Sequence, residues 1–332
     1  MVSPPTLHIH FDSRREASPV THMTETLIDA ALRRHPALEG KVKLTTSWNL
    51  ENVAAALATA DMFVGFRMPK ELIRDASPRL KSIHVIGAGV EHLHPTEWIS
   101  PGIVVTNNRG VHRQKAAESI LLFALMLNSN IPGLATAQRN ANWNPLFATS
   151  IKGKTALIIG VGEVGSAGAN ELRKLGLRVV GIRRSGTPHP SCDETYGPSA
   201  LHALLPQADF VFLTTPLTKE TRTLIGKAEF ALMKPGAGFA NFCRAKVCDY
   251  NALGDCLHSG KISGAILDVF DPEPLPADSW LWTVPNLFIT PHCLSDDAEQ
   301  YIPMTLDLVF ENAKRLLNFQ PMKNIVDLQR EY

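Results

Sequence analysis

Short apolar runs alternate with helix-length stretches along the first hundred residues. Runs typical of β-strands lie at 7–11, 62–64 and 83–86, and a further apolar set lies around 53–57. Strands separated by helices are typical of a parallel sheet with crossover connections. Gly87-Ala88-Gly89 follows the third run directly, so we expect a turn at the carboxyl end of that strand. The N–H groups of such a turn can bind an anion, and a turn without a ligand is the alternative.

The middle of the chain predicts a second sheet. Residues 115–129 are almost uniformly apolar, which indicates a buried helix that joins two domains. A strand at 156–159, a helix that ends at Gly176 and a strand at 177–182 then form a predicted βαβ unit. Helix-length spacers separate four further strand candidates, at 210–213, 238–241, 265–268 and 287–290.

The last segment lies beyond this second series of strands. Ser295 precedes Asp296 and Asp297 and is a favourable N-cap, so a helix is expected from that point past Pro303. Its apolar face would carry Leu306, Val309, Phe310, Ala313 and Leu317. We expect this helix to return to the first domain, which makes that domain discontinuous.

Composition and charge narrow the choice of partners. The chain of 332 residues has 33 Lys and Arg against 32 Asp and Glu, so no overall field favours nucleic acid or an anionic membrane. The longest apolar run, 120–127, is shorter than the about 18 residues that span a bilayer. Five cysteines without C-x-x-C spacing fit a reducing cytoplasm. Glu91, His92 and His94 cluster in sequence, but a metal site needs further ligands, and we expect none.

The segment 160–165, Gly-Val-Gly-Glu-Val-Gly, follows a predicted strand and opens a predicted helix. In that context G-x-G-x-x-G is a dinucleotide-binding pattern. Gly160 makes the turn, Gly162 lets a pyrophosphate approach the backbone, and Gly165 lets helix and strand pack closely. Glu163 and Val164 open the helix, whose free N–H groups would face the phosphates. A glycine turn without a ligand is the alternative.

The strand at 177–182 runs into Arg183, Arg184 and Ser185. Sites that bind NAD usually place an acidic residue at this position, where it accepts hydrogen bonds from the ribose hydroxyls. A guanidinium cannot accept them, but it pairs well with a 2′-phosphate. The sequence therefore predicts NADP rather than NAD, with NAD possible. In the alternative reading both arginines are solvated charges at a strand end.

Three further segments each place a polar residue just beyond a predicted strand. They are 241–244, 268–274 and 290–292, and they carry Arg244, Glu273 and His292. Open α/β sheets bind ligands at the carboxyl edge of their strands. We therefore expect these three side chains to share a cleft with the dinucleotide.

These segments resemble the D-isomer-specific 2-hydroxyacid dehydrogenases. The main match covers residues 153–292 and includes the motif Thr214-Thr215-Pro216-Leu217-Thr218 through Thr221. Residues 87–93 resemble the substrate loop of the family. The segment from Thr106-Asn107 through Ala117-Glu118 resembles its interdomain helix. The resemblance implies an α/β fold of two doubly wound parallel-sheet domains. A flavodoxin-like substrate domain would comprise 1–104 and 296–332, and a Rossmann dinucleotide-binding domain 105–295.

The resemblance also implies a reaction and roles for the site residues. Hydride would pass between the nicotinamide and the carbonyl carbon of a small 2-oxo acid such as glyoxylate or hydroxypyruvate. His292 would be the general acid, Glu273 would keep its imidazole charged and oriented, and Arg244 would hold the substrate. Ala88 and Gly89 are expected to bind the carboxylate of the substrate. The residues expected to line the cofactor are Thr215, Pro216, Phe242 and Asp268.

Some features leave alternatives open. Trp143, in Trp143-Asn144-Pro145-Leu146, is expected to enter the active site of a partner subunit in a homodimer, as the corresponding region does in some relatives. Leu294 and Ala245 stand where the family commonly has small or glycine residues, which leaves the exact substrate open. Two competing functions remain. One is a dehydrogenase of a non-hydroxyacid such as phosphite, and the other is a dinucleotide-sensing corepressor or scaffold on the same fold.

Overall fold

The computed structural model describes residues 7–332, which form two compact units. One unit extends to His112 and resumes from Asp297 to Tyr332, and the other runs from Arg113 to Asp296. The division follows residue 112 rather than the expected 104, because strand Val104–Asn107 pairs with the sheet of the first unit.

The first unit contains a five-stranded parallel sheet in the order β2-β1-β3-β4-β5. Its strands are β1 Leu7–Ser13, β2 Val42–Trp48, β3 Met62–Gly65, β4 Ser82–Val85 and β5 Val104–Asn107. Its helices are α1 Glu25–Arg33, α2 Val53–Leu57, α3 Lys70–Ala76 and, after the second unit, α10 Tyr301–Leu317. The order is that of a flavodoxin-like doubly wound sheet.

Helix α10 packs its apolar face on this sheet. Leu306, Val309 and Phe310 are fully buried in one cluster with Leu7 and Ile9 of β1. The helix begins at Tyr301, so the expectation that it starts directly after Ser295 is wrong. Asp297 instead closes a separate turn, in which its Oδ1 accepts the N–H groups of Glu299 and Gln300.

The second unit contains a seven-stranded parallel sheet in the order β12-β11-β10-β9-β6-β7-β8. Its strands are β6 Thr155–Ile159, β7 Arg178–Ile182, β8 Glu194–Tyr196, β9 Phe210–Leu213, β10 Gly238–Asn241, β11 Gly264–Leu267 and β12 Leu287–Ile289. The order reverses between β6 and β9, so a crevice opens between their carboxyl ends. Strands β10, β11 and β12 are neighbours, and their carboxyl ends lie along the same edge.

The helices of the second unit cover both faces of this sheet. They are α4 Arg113–Asn128, α5 Ile131–Arg139, α6 Glu163–Lys174, α7 Leu201–Leu204, α8 Lys227–Leu232 and α9 Tyr250–His258. Helices α4 and α6 pack so closely that a Cβ on Gly168 would overlap Ile120. This contact accounts for one apolar face of α4, whereas Leu122 and Leu125 on the same helix are 46% and 41% exposed.

Among residues 7–332 no single helix is long and apolar enough to cross a membrane. Helices α4 and α5 reach that length and composition only as a pair, which is bent by 64°.

Candidate active site

The glycine turn lies at the crevice between β6 and β9. Gly160 has φ +108°, and a Cβ there would come within 2.5 Å of the backbone nitrogen of Thr215. The Thr214 hydroxyl donates to the carbonyl oxygen of Gly160 at 2.8 Å. The turn after β6 is therefore pressed against the segment after β9, which carries Thr215 and Pro216.

Gly162 differs from its neighbours because a Cβ at this position would meet no atom within 4 Å. It precedes α6, and no side chain caps that helix. The first N–H groups of a helix have no partner within it, and those of Glu163, Val164 and Gly165 donate to no backbone carbonyl between 7 and 332. Open space, free N–H groups and the positive end of the helix dipole fit a pyrophosphate.

Arg183, Arg184 and Ser185 lie beside the same turn. The Ile182 carbonyl at the end of β7 accepts N–H groups from Gly160 and Val161. Arg183 is half-buried, and its guanidinium makes no hydrogen bond or ion pair with any other residue between 7 and 332. Arg184 and Ser185 are exposed. The structure thus places Arg183, Arg184 and Ser185 beside the glycine turn.

At the same carboxyl edge of the sheet, beyond β11 and β12, the imidazole of His292 contacts the carboxylate of Glu273. Nδ1 of His292 lies 2.7 Å from Glu273 Oε2, and the other carboxylate oxygen accepts the Phe270 N–H at 2.7 Å. His292 has φ +49°, a left-handed conformation that is uncommon for residues with a Cβ. The two side chains are therefore held in one orientation, about one third exposed.

The pair shifts the titration of both groups. The hydrogen bond that His292 donates to Glu273 raises the pKa of His292, although burial and the charge of Arg244 act against it. Burial would raise the pKa of Glu273, but hydrogen bonds from His292 and the Phe270 N–H hold it below its usual range. The arrangement favours an imidazolium paired with a carboxylate.

Arg244 follows β10, and its charge affects both Glu273 and His292. Asn241 and Tyr250 fix its loop. The Asn241 side-chain amide donates to the Arg244 carbonyl and to the Tyr250 hydroxyl, each at 3.0 Å. Tyr250 in turn donates to the Val269 carbonyl at 2.7 Å, which ties the loop after β10 to the loop after β11. Sequence reasoning missed Tyr250, because nothing in the chain marks it as a neighbour of Val269.

Asp268 is buried, and its carboxylate contacts the loop that carries His292. Its Oδ1 accepts the Thr290 hydroxyl at 2.6 Å and the Cys293 N–H at 3.3 Å. Burial raises the pKa of Asp268, although these hydrogen bonds act to lower it. Phe242 is also buried, packed edge-on against Phe123 at 5.5 Å between ring centroids, so its side chain belongs to the core.

In the first unit, Ala88 and Gly89 lie beyond the end of β4, as expected for a turn. The carbonyl of Ala88 accepts the Asn107 side-chain amide at 2.7 Å, and the carbonyl of Gly87 accepts the Asn108 N–H at 3.1 Å. Neither the N–H of Ala88 nor that of Gly89 donates to another residue between 7 and 332. These two N–H groups are therefore available to an anion.

Trp143 is far more exposed than any other tryptophan. Its side chain is 93% exposed, that of Phe147 is 91% exposed, and every residue from 141 to 150 is exposed. Within the second unit, no contact brings Trp143 to Arg244, Glu273 or His292. Over the described part of the chain, no three His, Cys, Asp or Glu side chains form a group that could hold a metal.

Comparison with known proteins agrees with this geometry. The family model for the D-isomer specific 2-hydroxyacid dehydrogenase NAD binding domain matches residues 121–293. The chain is 35% identical to the glyoxylate reductase of Thermococcus litoralis over 239 residues, 68% of this chain and 70% of that protein. It is 30% identical to glyoxylate/hydroxypyruvate reductase B of Pectobacterium carotovorum over 283 residues, 82% of this chain and 88% of that protein.

A solved structure shares the whole fold. It is the D-isomer specific 2-hydroxyacid dehydrogenase of Xanthobacter autotrophicus Py2 in complex with NADPH and MES. It is 28% identical, has a TM-score of 0.82, and the match covers 98% of this chain and 100% of that one. Three observations point to the same family. They are the two parallel-sheet units, the glycine turn of a nicotinamide dinucleotide site, and the family model that matches over half of the chain. The protein belongs to the D-isomer specific 2-hydroxyacid dehydrogenase family, whose members are NAD(P)-dependent oxidoreductases.

Proposed function

We propose that this enzyme reduces a small 2-oxo acid to the D-2-hydroxy acid with NADPH, and that His292 is the general acid. The observation that carries the proposal is the 2.7 Å hydrogen bond between His292 Nδ1 and Glu273 Oε2, beside Arg244. The names of the relatives from Thermococcus litoralis and Pectobacterium carotovorum support glyoxylate and hydroxypyruvate as substrates.

The chemistry assigns each side chain a task. The nicotinamide, when bound, supplies a hydride to the carbonyl carbon of the substrate. Glu273 accepts the hydrogen bond of His292 Nδ1–H, which leaves Nε2–H free to protonate the developing alkoxide oxygen. The raised pKa of His292 favours the protonated imidazole that supplies this proton. Arg244 supplies a planar set of donors that aligns the carboxylate and carbonyl of the substrate.

The preference for NADPH rests on the strand end at Arg183 and Arg184. The absence of a carboxylate there removes the usual partner of the ribose hydroxyls, and the unengaged guanidinium of Arg183 supplies a partner for a 2′-phosphate. Replacement of both arginines by alanine should raise the KM for NADPH by about 10-fold or more, since a hydrogen bond to a charged group contributes about 1.5–3 kcal/mol. An unchanged KM would contradict the assignment.

The experiment that tests the reaction is a spectrophotometric assay of NADPH and NADH oxidation with glyoxylate, hydroxypyruvate, pyruvate and a branched 2-oxo acid. His292→Gln should lower kcat by about 100-fold or more while the Kd for NADPH stays nearly unchanged. The matched control is His202→Gln, because His202 also pairs with a carboxylate, Glu229, at 2.8 Å but lies elsewhere in the second unit. Equal loss of NADPH binding in His292→Gln would make His292 a structural residue.

We also propose that the enzyme is a homodimer in which residues 141–150 bind the second copy. Exposure of Trp143 and Phe147 at 93% and 91% supports this, since two large apolar side chains on an extended segment are unfavourable in water. Light scattering should give twice the chain mass, and Trp143→Ser with Phe147→Ser should give the monomer. A monomeric, fully active wild-type enzyme would contradict the proposal.

A further inference from the structure

His189 and Arg113 lie beside Arg183, although no motif marked either residue. His189 belongs to the connection between β7 and β8, and Arg113 is the first residue of α4. The pKa of His189 is lowered, by burial first and then by the positive charges of Arg183 and Arg113, while the carboxylate of Glu163 acts in the opposite direction. Three elements, the β7–β8 connection, α4 and α6, thus place charges that act on His189, and Glu163 belongs to the glycine motif itself.

The hydrogen bonds of His189 fix which ring nitrogen carries the proton. The Ser191 N–H donates to Nδ1 of His189 at 3.2 Å, so Nδ1 is the acceptor and the neutral ring carries its hydrogen on Nε2. Nε2 makes no hydrogen bond within residues 7–332, and the guanidinium of Arg183 is equally unengaged there. Two donors from the same β7–β8 connection are therefore available to an anion.

Arg113 is held at the start of α6 by an ion pair. Its Nη1 lies 2.8 Å from Oε2 of Glu163, and the two side chains are 48% and 44% exposed. Glu163 is the first residue of α6, so its carboxylate stands in the positive field of the helix N-terminus. A guanidinium has five N–H donors, and the ion pair engages only Nη1. The Nε and Nη2 donors of Arg113 therefore remain for a second anion.

We propose that Arg113 and His189 bind the 2′-phosphate of NADPH together with Arg183, and that Glu163 is a counter-charge that weakens this binding. The inference rests on the proposed preference for NADPH and extends it to residues outside the strand-end motif. A ribose 2′-phosphate presents three acceptor oxygens and close to two negative charges, so several donors from different elements are needed to satisfy it. NADH has a hydroxyl at that position and cannot engage the same set.

The test is the Kd for NADPH and for NADH, measured without substrate by isothermal titration calorimetry. His189→Phe keeps a ring of similar shape and removes its donors, and it should weaken NADPH binding several-fold with little effect on NADH. Arg113→Gln should weaken NADPH binding by about 10-fold, and Glu163→Gln should tighten it. Lys174→Gln is the matched control, because it removes a surface ion pair, with Glu171 at 2.7 Å, from the other end of α6.

The double variant Arg113→Gln, Glu163→Gln separates two explanations. If Arg113 binds the phosphate, its loss weakens NADPH binding in the Glu163→Gln background as well. If Arg113 only neutralises Glu163, its loss has no effect in that background, and the inference is wrong. Equal weakening of NADPH and NADH would also overturn it, since the contact would then lie on a shared part of the dinucleotide.

The wild-type Kd values distinguish failure of the inference from failure of the proposed function. A wild-type enzyme that prefers NADPH and is unaffected by His189→Phe and Arg113→Gln overturns this inference alone. A wild-type enzyme that binds NADPH no more tightly than NADH overturns the cofactor preference as well. Unfolding temperatures of all variants identify any that are misfolded.

Discussion

The carboxylate of Asp268 accepts a 2.6 Å hydrogen bond from the hydroxyl of Thr290, two residues before His292. The same oxygen accepts the N–H of Cys293, directly after His292. Asp268 therefore holds both sides of a residue whose backbone has a left-handed conformation, φ +49°. A carboxylate that is itself 2% exposed thus fixes the direction in which the imidazole points.

Asp268→Ala should lower kcat by about 10-fold or more and destabilise the protein by about 1–3 kcal/mol, because the Thr290 hydroxyl and the Cys293 N–H lose their buried acceptor. Steady-state kinetics and thermal unfolding measure the two effects. Asp271→Asn is the control, since Asp271 forms a surface ion pair with Lys246 at 2.8 Å. An Asp268→Ala enzyme with normal kcat would show that Thr290 and Cys293 hold the loop without it.

Glu273→Gln should shift the pH dependence of ketoacid reduction. The wild-type carboxylate raises the pKa of His292, so the acid stays protonated to higher pH. Loss of the negative charge should move the alkaline limb of kcat/KM to lower pH. Rates at low pH, where His292 is protonated in both enzymes, should differ much less. An unshifted limb would mean that another group sets it.

Two glycines of the dinucleotide turn should respond differently to alanine. Gly160→Ala places a Cβ 2.5 Å from the Thr215 nitrogen and requires a φ that alanine rarely adopts, so it should lower the unfolding temperature. Gly162→Ala has open space around the new methyl group and should fold normally. It should nevertheless weaken NADPH binding, because the methyl group occupies the phosphate position. Tight NADPH binding by Gly162→Ala would contradict this assignment of the phosphate position.

Two buried histidines should make the first unit sensitive to acid. Burial lowers the pKa of His10 and of His84 to about 4, from 6.5. The unfolded chain therefore binds more protons between those values, and stability falls as the pH drops through that window. Each histidine should cost on the order of 2 kcal/mol between pH 7 and pH 5.

Denaturant unfolding at pH 7 and pH 5 measures this loss. His84→Gln should reduce the difference between the two pH values, because glutamine does not titrate. His202→Gln serves again as control, since His202 is exposed and paired with Glu229. An equal pH dependence in wild type and His84→Gln would assign the acid sensitivity to other groups.

Sequence pattern predicted the elements whose signal is local. Strands β6, β9 and β10 and the glycine turn lie where apolar runs and G-x-G-x-x-G indicate them. Strands β2 and β8 were missed because Lys-Leu-Thr-Thr-Ser-Trp and Glu-Thr-Tyr are too polar to look like buried strands. Both are edge strands, and an edge strand can expose side chains that a central strand must bury. Strand β5 was missed because Thr106-Asn107 was assigned to the interdomain helix, which begins only at Arg113.

The sequence by itself predicted a dinucleotide turn and a basic strand end. It also predicted an arginine, a glutamate and a histidine placed after successive strands. Only the tertiary structure decided that the strands carrying them are neighbours, that Asp268 faces the His292 loop rather than solvent, and that Phe242 fills the core. It also brought Arg113 and His189, 76 residues apart in the sequence, to the same end of the dinucleotide site. Such proximities depend on strand order and helix packing, which arise from many weak contacts across the whole chain.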